Sequence, residues 1–205
     1  LKQITASRTP VDNGKAYFTE VLSNCSALMQ LIVNHPKPII AEVTGVATAA
    51  GCQLVASCDL ALASESALFS TPGVHIGLFC STPMVALSRN VSNKAAMEML
   101  LTGEMVSATK AEHIGLVNRV VVDEKLTEAT MAMAAIIASK SSMALATGKQ
   151  AFYHQREMTL ADAYDYASQV MVDNLLKHDA EEGINAFIEK RSPESDGGLA
   201  RKAMA

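Results

Sequence analysis

Tryptophan is absent from this chain, and aromatic side chains make up only 4% of its 205 residues. Acidic residues outnumber basic ones by 21 to 17, for a formal net charge of −4. A protein that neutralises a phosphate backbone needs a basic face, and one that stacks bases needs aromatic platforms. With neither in supply, nucleic-acid binding is disfavoured. The four cysteines (Cys25, Cys52, Cys58 and Cys80) form no C-x-x-C pair. They read as buried reduced thiols rather than as a disulfide frame. The five histidines lack ligand spacing such as H-x3-H, so no metal site is expected. No apolar run approaches the roughly 20 residues of a membrane-spanning helix. What is present is 49% hydrophobic content, enough for one substantial core.

Periodicity outlines the elements. Lys15 to Asn34 carries Phe18, Val21, Leu22, Cys25, Leu28, Met29 and Ile32 at helical spacing. Pro36 and Pro38 end that helix and lead into an apolar strand over Ile39–Val43. Ser92 caps a helix that Gly103 stops, and Ser107 caps a shorter one that Gly115 ends before a strand over Leu116–Val122. Helices then follow one another: Met131–Ser139, Met143–His154, Leu160–Lys177 and Ala180–Lys190. Most of the eleven methionines, among them Met97, Met99, Met131, Met133, Met143 and Met171, fall in the predicted helices of the whole chain, where thioethers fill core gaps or subunit contacts. Residues 194–205 lack periodicity and read as a disordered tail. The expected organisation is a core over residues 1–123, a helical region over 124–193, and the tail.

The most informative stretch is Gly45-Val-Ala-Thr-Ala-Ala-Gly-Cys-Gln-Leu-Val-Ala-Ser-Cys-Asp-Leu-Ala-Leu-Ala-Ser64. It leaves a buried strand, passes a turn of small residues and enters a short apolar helix. A helix start gathers unpaired backbone N–H groups at one spot, and the absence of side-chain bulk lets a flat group approach them. Such donors suit a developing oxyanion. A glycine turn that merely packs helix on sheet would use the same residue types.

The length and order of the motifs carry the resemblance. Pro36-Lys-Pro-Ile-Ile-Ala-Glu-Val-Thr-Gly45, Gly51-Cys-Gln-Leu54, Cys58-Asp-Leu-Ala-Leu-Ala63 and Phe69-Ser-Thr-Pro-Gly-Val-His-Ile-Gly-Leu78 resemble the crotonase (enoyl-CoA hydratase/isomerase) superfamily. Leu101-Thr-Gly-Glu104, Ala111-Glu-His-Ile-Gly-Leu-Val117 and Val120-Val-Val122 resemble its later elements. The similarity implies an α/β fold, a spiral of strand-strand-helix turns with a C-terminal helical trimerisation region. It also implies acyl-CoA thioesters as substrate or ligand, no permanently bound cofactor, and a homotrimer or hexamer. The location implied is the mitochondrial matrix in a eukaryote and the cytoplasm in a bacterium. In the family, a sizeable part of the domain precedes the point matching Leu1, including the first oxyanion donor. The chain is therefore expected to be a fragment, a processed product or a short form.

By this resemblance the second oxyanion donor is the backbone N–H of Ala50. The two carboxylates with which the family's hydratases add water map onto Gln53 and Gly73. An amide orients water but has no useful basicity near neutral pH, and glycine offers no side chain. The chain looks most like the subgroup that lacks the glutamate pair. His75 is the nearest substitute base, sharing a side with Gly73 only if the stretch is a regular strand; a structural role is the stronger expectation. Cys80 and Ser81 lie in a loop that faces the acyl pocket on the functional reading, although a buried structural thiol is the default for Cys80; Asp59, Glu104 and Glu42 read as turn, surface and strand residues. Phe187 and Lys190 match the aromatic and basic pair that reaches the nucleotide end of CoA, with Arg191 as a second cation. A packed phenylalanine and a solvated basic helix end explain them equally well. Enolate chemistry and noncatalytic acyl-CoA binding both stay open.

Overall fold

The first two spiral turns each send one strand to each of two sheets before the chain enters a helix. A computed structural model describes residues 2–193. The described residues divide into two units, one running up to Val33 and resuming over Ala41–Leu126, the other comprising Asn34–Ile40 and the residues from Thr127 onward. The expected tail over residues 194–205 lies outside the described residues.

The first unit opens with a short helix α1 (Lys2–Ala6) and the long α2 (Lys15–Asn34). Then β1 (Ile40–Val43) and β2 (Val46–Thr48) lead to α3 (Ala50–Ser57), and β3 (Leu60–Ser64) and β4 (Leu68–Ser70) lead through a 3-10 helix over Pro72–Ile76 to α4 (Ser81–Leu87) and α5 (Asn93–Thr102). The last turn comprises β5 (Val106–Ser107), α6 (Ala108–His113) and β6 (Arg119–Val121). One sheet has the order β1-β3-β6 and the other β2-β4-β5. Pairing is parallel between β3 and β6 and between β2 and β4, and antiparallel between β4 and β5. Parallel neighbours separated by helices are the α/β pattern expected from the alternation of apolar runs and helices.

Small side chains set the spacing of this core. Ala61, Ala63, Ala67, Ala108 and Ala111 are buried beside Phe69, Leu87 and Leu100, so helices and strands approach closely around a few large residues. Asn118 locks the third turn to the second: its Oδ1 accepts the Ala61 N–H at 2.8 Å, and its own N–H donates to the Ala61 carbonyl at 2.8 Å. Asn90 ties α3 to α4 by donating to the carbonyls of Ala56 and Ala86 at 2.7 and 2.8 Å. Of the apolar stripe on α2, only Met29 and Ile32 are buried, while Val21, Leu22 and Leu28 are exposed.

The second unit holds α7 (Leu126–Ala138), α8 (Ser142–Gln155), α9 (Leu160–Leu175) and α10 (His178–Ile188), although α7 begins one residue earlier, at the end of the first unit. Packing runs from α8 to α9 and from α9 to α10. The Ser141 and Thr159 hydroxyls cap α8 and α9, accepting the N–H groups of Ala144 and Asp162.

Several boundaries differ from the sequence reading. The strand expected over Leu116–Val122 shrinks to Arg119–Val121, because the Leu116 and Val117 N–H groups fold back onto the Ala111 carbonyl. The helix expected from Met131 begins at Leu126, whose side chain is fully buried. The helix expected over Ala180–Lys190 spans His178–Ile188, because Lys190 adopts a left-handed conformation with φ 56° that ends it. Ser92, Ser107 and Gly103 act as expected: two side-chain caps and a left-handed stop at φ 66°.

Candidate active site

The turn between β2 and α3 is built on a strained residue. Ala49 has φ 47° and ψ −112°, a conformation that non-glycine residues rarely adopt and that costs on the order of 1–3 kcal/mol. Two hydrogen bonds hold it there. Its N–H donates to the Ser70 carbonyl at 2.9 Å, and its carbonyl accepts the Gln53 N–H at 2.9 Å. Ala50 follows as the first residue of α3 and is exposed. Its N–H has no acceptor within the helix by position, and no side chain caps α3. The N-terminus of α3 therefore presents backbone donors and the positive end of a helix dipole toward the surface.

One helical turn further on, Gln53 is 4% exposed. Its Oε1 accepts from the Cys25 thiol at 3.6 Å, which links α2 to α3, and the Ser57 hydroxyl donates to its carbonyl at 2.8 Å. Burial suits a neutral amide and disfavours a carboxylate at this position.

Gly73 lies in the 3-10 helix, on a loop that closes against it from both sides. Its N–H donates to Cys80 Sγ at 3.3 Å, and its carbonyl accepts the Leu78 N–H at 3.0 Å. Two fully buried hydroxyls anchor the approach to this loop. Ser70 donates to the Gly103 carbonyl at 2.8 Å, and Thr71 donates to the Met99 carbonyl at 2.9 Å. Cys52, beside Gln53 in sequence, interacts electrostatically with Cys80; burial first, and Cys80 second, push the Cys52 thiol up to about 12.

His75 does not meet the condition for a base beside Gly73. The segment is a 3-10 helix rather than a strand, and residues two apart in such a helix point in different directions. The ring Nε2 lies 2.8 Å from the Thr102 carbonyl, an acceptor only, so Nε2 carries the proton and donates. The same ring closes over Gly103, where an added Cβ would lie 2.9 Å from Nε2. The side chain is exposed and braces the end of α5.

On α10, Phe187 is 84% exposed. The helix ends in a Schellman arrangement: the Lys190 N–H donates to the Phe187 carbonyl at 3.3 Å and the Arg191 N–H to the Ala186 carbonyl at 3.0 Å. Lys190 holds the left-handed position usually given to glycine. Arg191 is committed elsewhere. Its Nε contacts Glu189 at 2.5 Å, and its Nη1 and Nη2 reach Glu182 at 2.5 and 2.9 Å. These carboxylates, Glu182 foremost, hold its pKa above the ordinary arginine value.

Four residues of the site escaped the sequence reading in these roles: Ala49, Cys25, Thr71 and Leu78. Nothing in an Ala-Ala pair signals a positive φ, Cys25 and Thr71 act through contacts 28 residues away in sequence, and Leu78 acts through a loop hydrogen bond back to Gly73. Among the described residues no group of three or more His, Cys, Asp or Glu is arranged to hold a metal ion, and no single helix is long and apolar enough to cross a membrane.

Comparison with known proteins agrees with this architecture. The enoyl-CoA hydratase/isomerase family pattern matches residues 10–197. The mitochondrial enoyl-CoA hydratase domain-containing protein 3 of Rattus norvegicus is 54% identical over 193 residues, which is 94% of this chain and 63% of that protein. The chain thus spans less than two thirds of that relative's length. The crystal structure of human enoyl coenzyme A hydratase domain-containing protein 3 superposes with a TM-score of 0.87 at 52% identity, over 92% of this chain and 74% of that one. An enoyl-CoA hydratase structure from Mycobacterium smegmatis gives 0.87 at 48% identity, over 92% and 73%. The chain belongs to the enoyl-CoA hydratase/isomerase family of the crotonase superfamily.

Proposed function

We propose that the chain binds acyl-CoA thioesters, polarises the thioester carbonyl at the N-terminus of α3, and supports enolate-type chemistry without the two-carboxylate addition of water. The observation that carries this reading is the Ala49–Ala50 turn: strain is maintained at an exposed helix start with no side-chain cap. Strain retained at such a point favours a functional use. A thioester oxygen accepting the Ala50 N–H gains negative character, and its α-proton becomes more acidic. One backbone donor of this kind contributes on the order of 3 kcal/mol to transition-state stabilisation.

The remaining steps of a hydratase lack their groups. Gln53 can orient a polar atom but cannot deprotonate water, Gly73 has no side chain, and His75 donates to a carbonyl. Ordinary hydration is therefore weak or absent. A noncatalytic acyl-CoA binder or regulatory subunit is the second reading, favoured specifically by Gln53 and Gly73. For the nucleotide end of CoA we assign Phe187 and Lys190, both exposed, over Arg191, which is ion-paired. Exposed Leu160, Tyr164 and Leu176 on and beside α9 favour assembly as a homotrimer or hexamer. In a eukaryote we place the protein in the mitochondrial matrix, as the naming of its relatives suggests.

Replacing Ala50 by the corresponding α-hydroxy acid tests the reading, because the backbone ester removes the N–H without the proline ring that would press on the Ala49 Cβ at ψ −112°. Calorimetry should show a greater loss of affinity for an enolate mimic than for free CoA, in a variant whose thermal unfolding stays cooperative. Equal losses for the two ligands would make the turn purely structural.

A further inference from the structure

Gly73 lacks more than a carboxylate; it lacks the space to carry one. A Cβ added there would lie 2.7 Å from the Leu78 carbonyl oxygen, 3.3 Å from that carbonyl carbon and 2.9 Å from Cys80 Sγ. Contacts that short force something to move. Two of these atoms are backbone, which no rotamer change can withdraw. The third belongs to a cysteine only 8% exposed and packed in the same core as Cys52. The loop is also fastened to Gly73 itself, through the Cys80 Sγ and Leu78 N–H bonds. By contrast, an added Cβ at Gly148, on α8, meets nothing within 4 Å.

We propose that Leu78 and Cys80 are specificity-determining residues that close this site to a second acid–base side chain. The loop they hold occupies the volume in which a side chain at position 73 would begin. The loss of the carboxylate is then a property of the loop from Pro72 to Cys80 as well as of one codon, and replacing the glycine alone does not reverse it. The site keeps its backbone donors at α3 while excluding the group that would deliver a proton beside them. This functional consequence rests on the acyl-CoA reading above, whereas the steric closure does not.

A stability cycle tests the closure directly. Gly73→Ala should lower the melting temperature by about 3–10 °C, whereas Gly148→Ala should hold or raise it. In Gly73→Ala/Cys80→Ala the combined loss should be smaller than the sum of the single losses, because removing the sulfur relieves one of the short contacts. A melting temperature unchanged or raised by Gly73→Ala, or losses that simply add, would overturn the proposal. Hydration of crotonyl-CoA by Gln53→Glu/Gly73→Glu should stay within tenfold of the parent protein, and a rise of tenfold or more would overturn it as well. The alanine cycle reads the same clash should the glutamate variant fail to fold. If calorimetry finds that the parent binds no acyl-CoA, the acyl-CoA reading falls, and the cycle still decides the closure.

Discussion

The Ala49 N–H donates to the Ser70 carbonyl at 2.9 Å, tying the strained turn before α3 to the end of β4. The hydrogen bond also explains why alanine is held at φ 47°. It fixes the turn relative to the segment that continues through Thr71 to Gly73. Glycine would adopt this backbone without a Cβ penalty. Ala49→Gly is therefore expected to be neutral or stabilising by up to about 1 kcal/mol, raising the melting temperature by about 2–4 °C. A clear fall would mean that the alanine methyl is needed for packing.

Thr71 is the buried bolt between the 3-10 segment and α5. Its hydroxyl donates to a Met99 carbonyl that also accepts the Gly103 N–H, so loss of the hydroxyl leaves that carbonyl one partner. Thr71→Val should cost about 1 kcal/mol in denaturant unfolding, near the ordinary net value of a hydrogen bond. A loss several times larger would show that the loop itself has shifted.

Stability should fall at alkaline pH through Cys52. Its folded pKa, raised by burial to about 12 from 9.0, favours the protonated thiol in the folded state. The unfolded chain then releases this proton first as pH rises, so the contribution is complete below about pH 9 and is lost progressively toward pH 12. Cys52→Ala should flatten the slope of unfolding free energy against pH in that window. An unchanged slope would exclude Cys52 as its source.

Lys190 sets stability against ligand. A left-handed lysine at the Schellman position is less favourable than glycine, so Lys190→Gly should stabilise α10 by about 0.5–1 kcal/mol. If the ammonium contacts the nucleotide end of CoA, the same change should weaken CoA binding by about tenfold. Calorimetry and thermal unfolding on one variant read both effects. Increased stability with unaltered affinity would leave Lys190 without a ligand role.

Much of the spiral was legible because its signals are local. Ser92 and Ser107 sit one residue before helices whose free N–H groups they satisfy, and Gly103 stands where a left-handed residue is required. Strand limits were less legible. Leu116 and Val117 look like the start of a strand, but their N–H groups are drawn back to Ala111, a contact that hydrophobicity does not encode. The site divided in the same way. The Ala50 turn, Gln53 and Gly73 could be located by motif, whereas Cys25 on Gln53 and Cys80 on Gly73 join residues 28 and 7 positions apart. His75 shows the remaining difficulty. Its role depends on whether the backbone is a strand or a 3-10 helix, and Pro72 and Gly73 leave both conformations within reach.

The most direct measurement is the ultraviolet absorption of crotonyl-CoA mixed with the protein at neutral pH. A donor on the thioester oxygen polarises the conjugated system, and hydration abolishes it. The expected result is a shift of the enoyl absorption to longer wavelength on binding, with no decay approaching the roughly 10 per second of an ordinary enzyme. Rapid loss of the band, or a spectrum indistinguishable from that of free crotonyl-CoA at saturating protein, would contradict acyl-thioester polarisation without hydration.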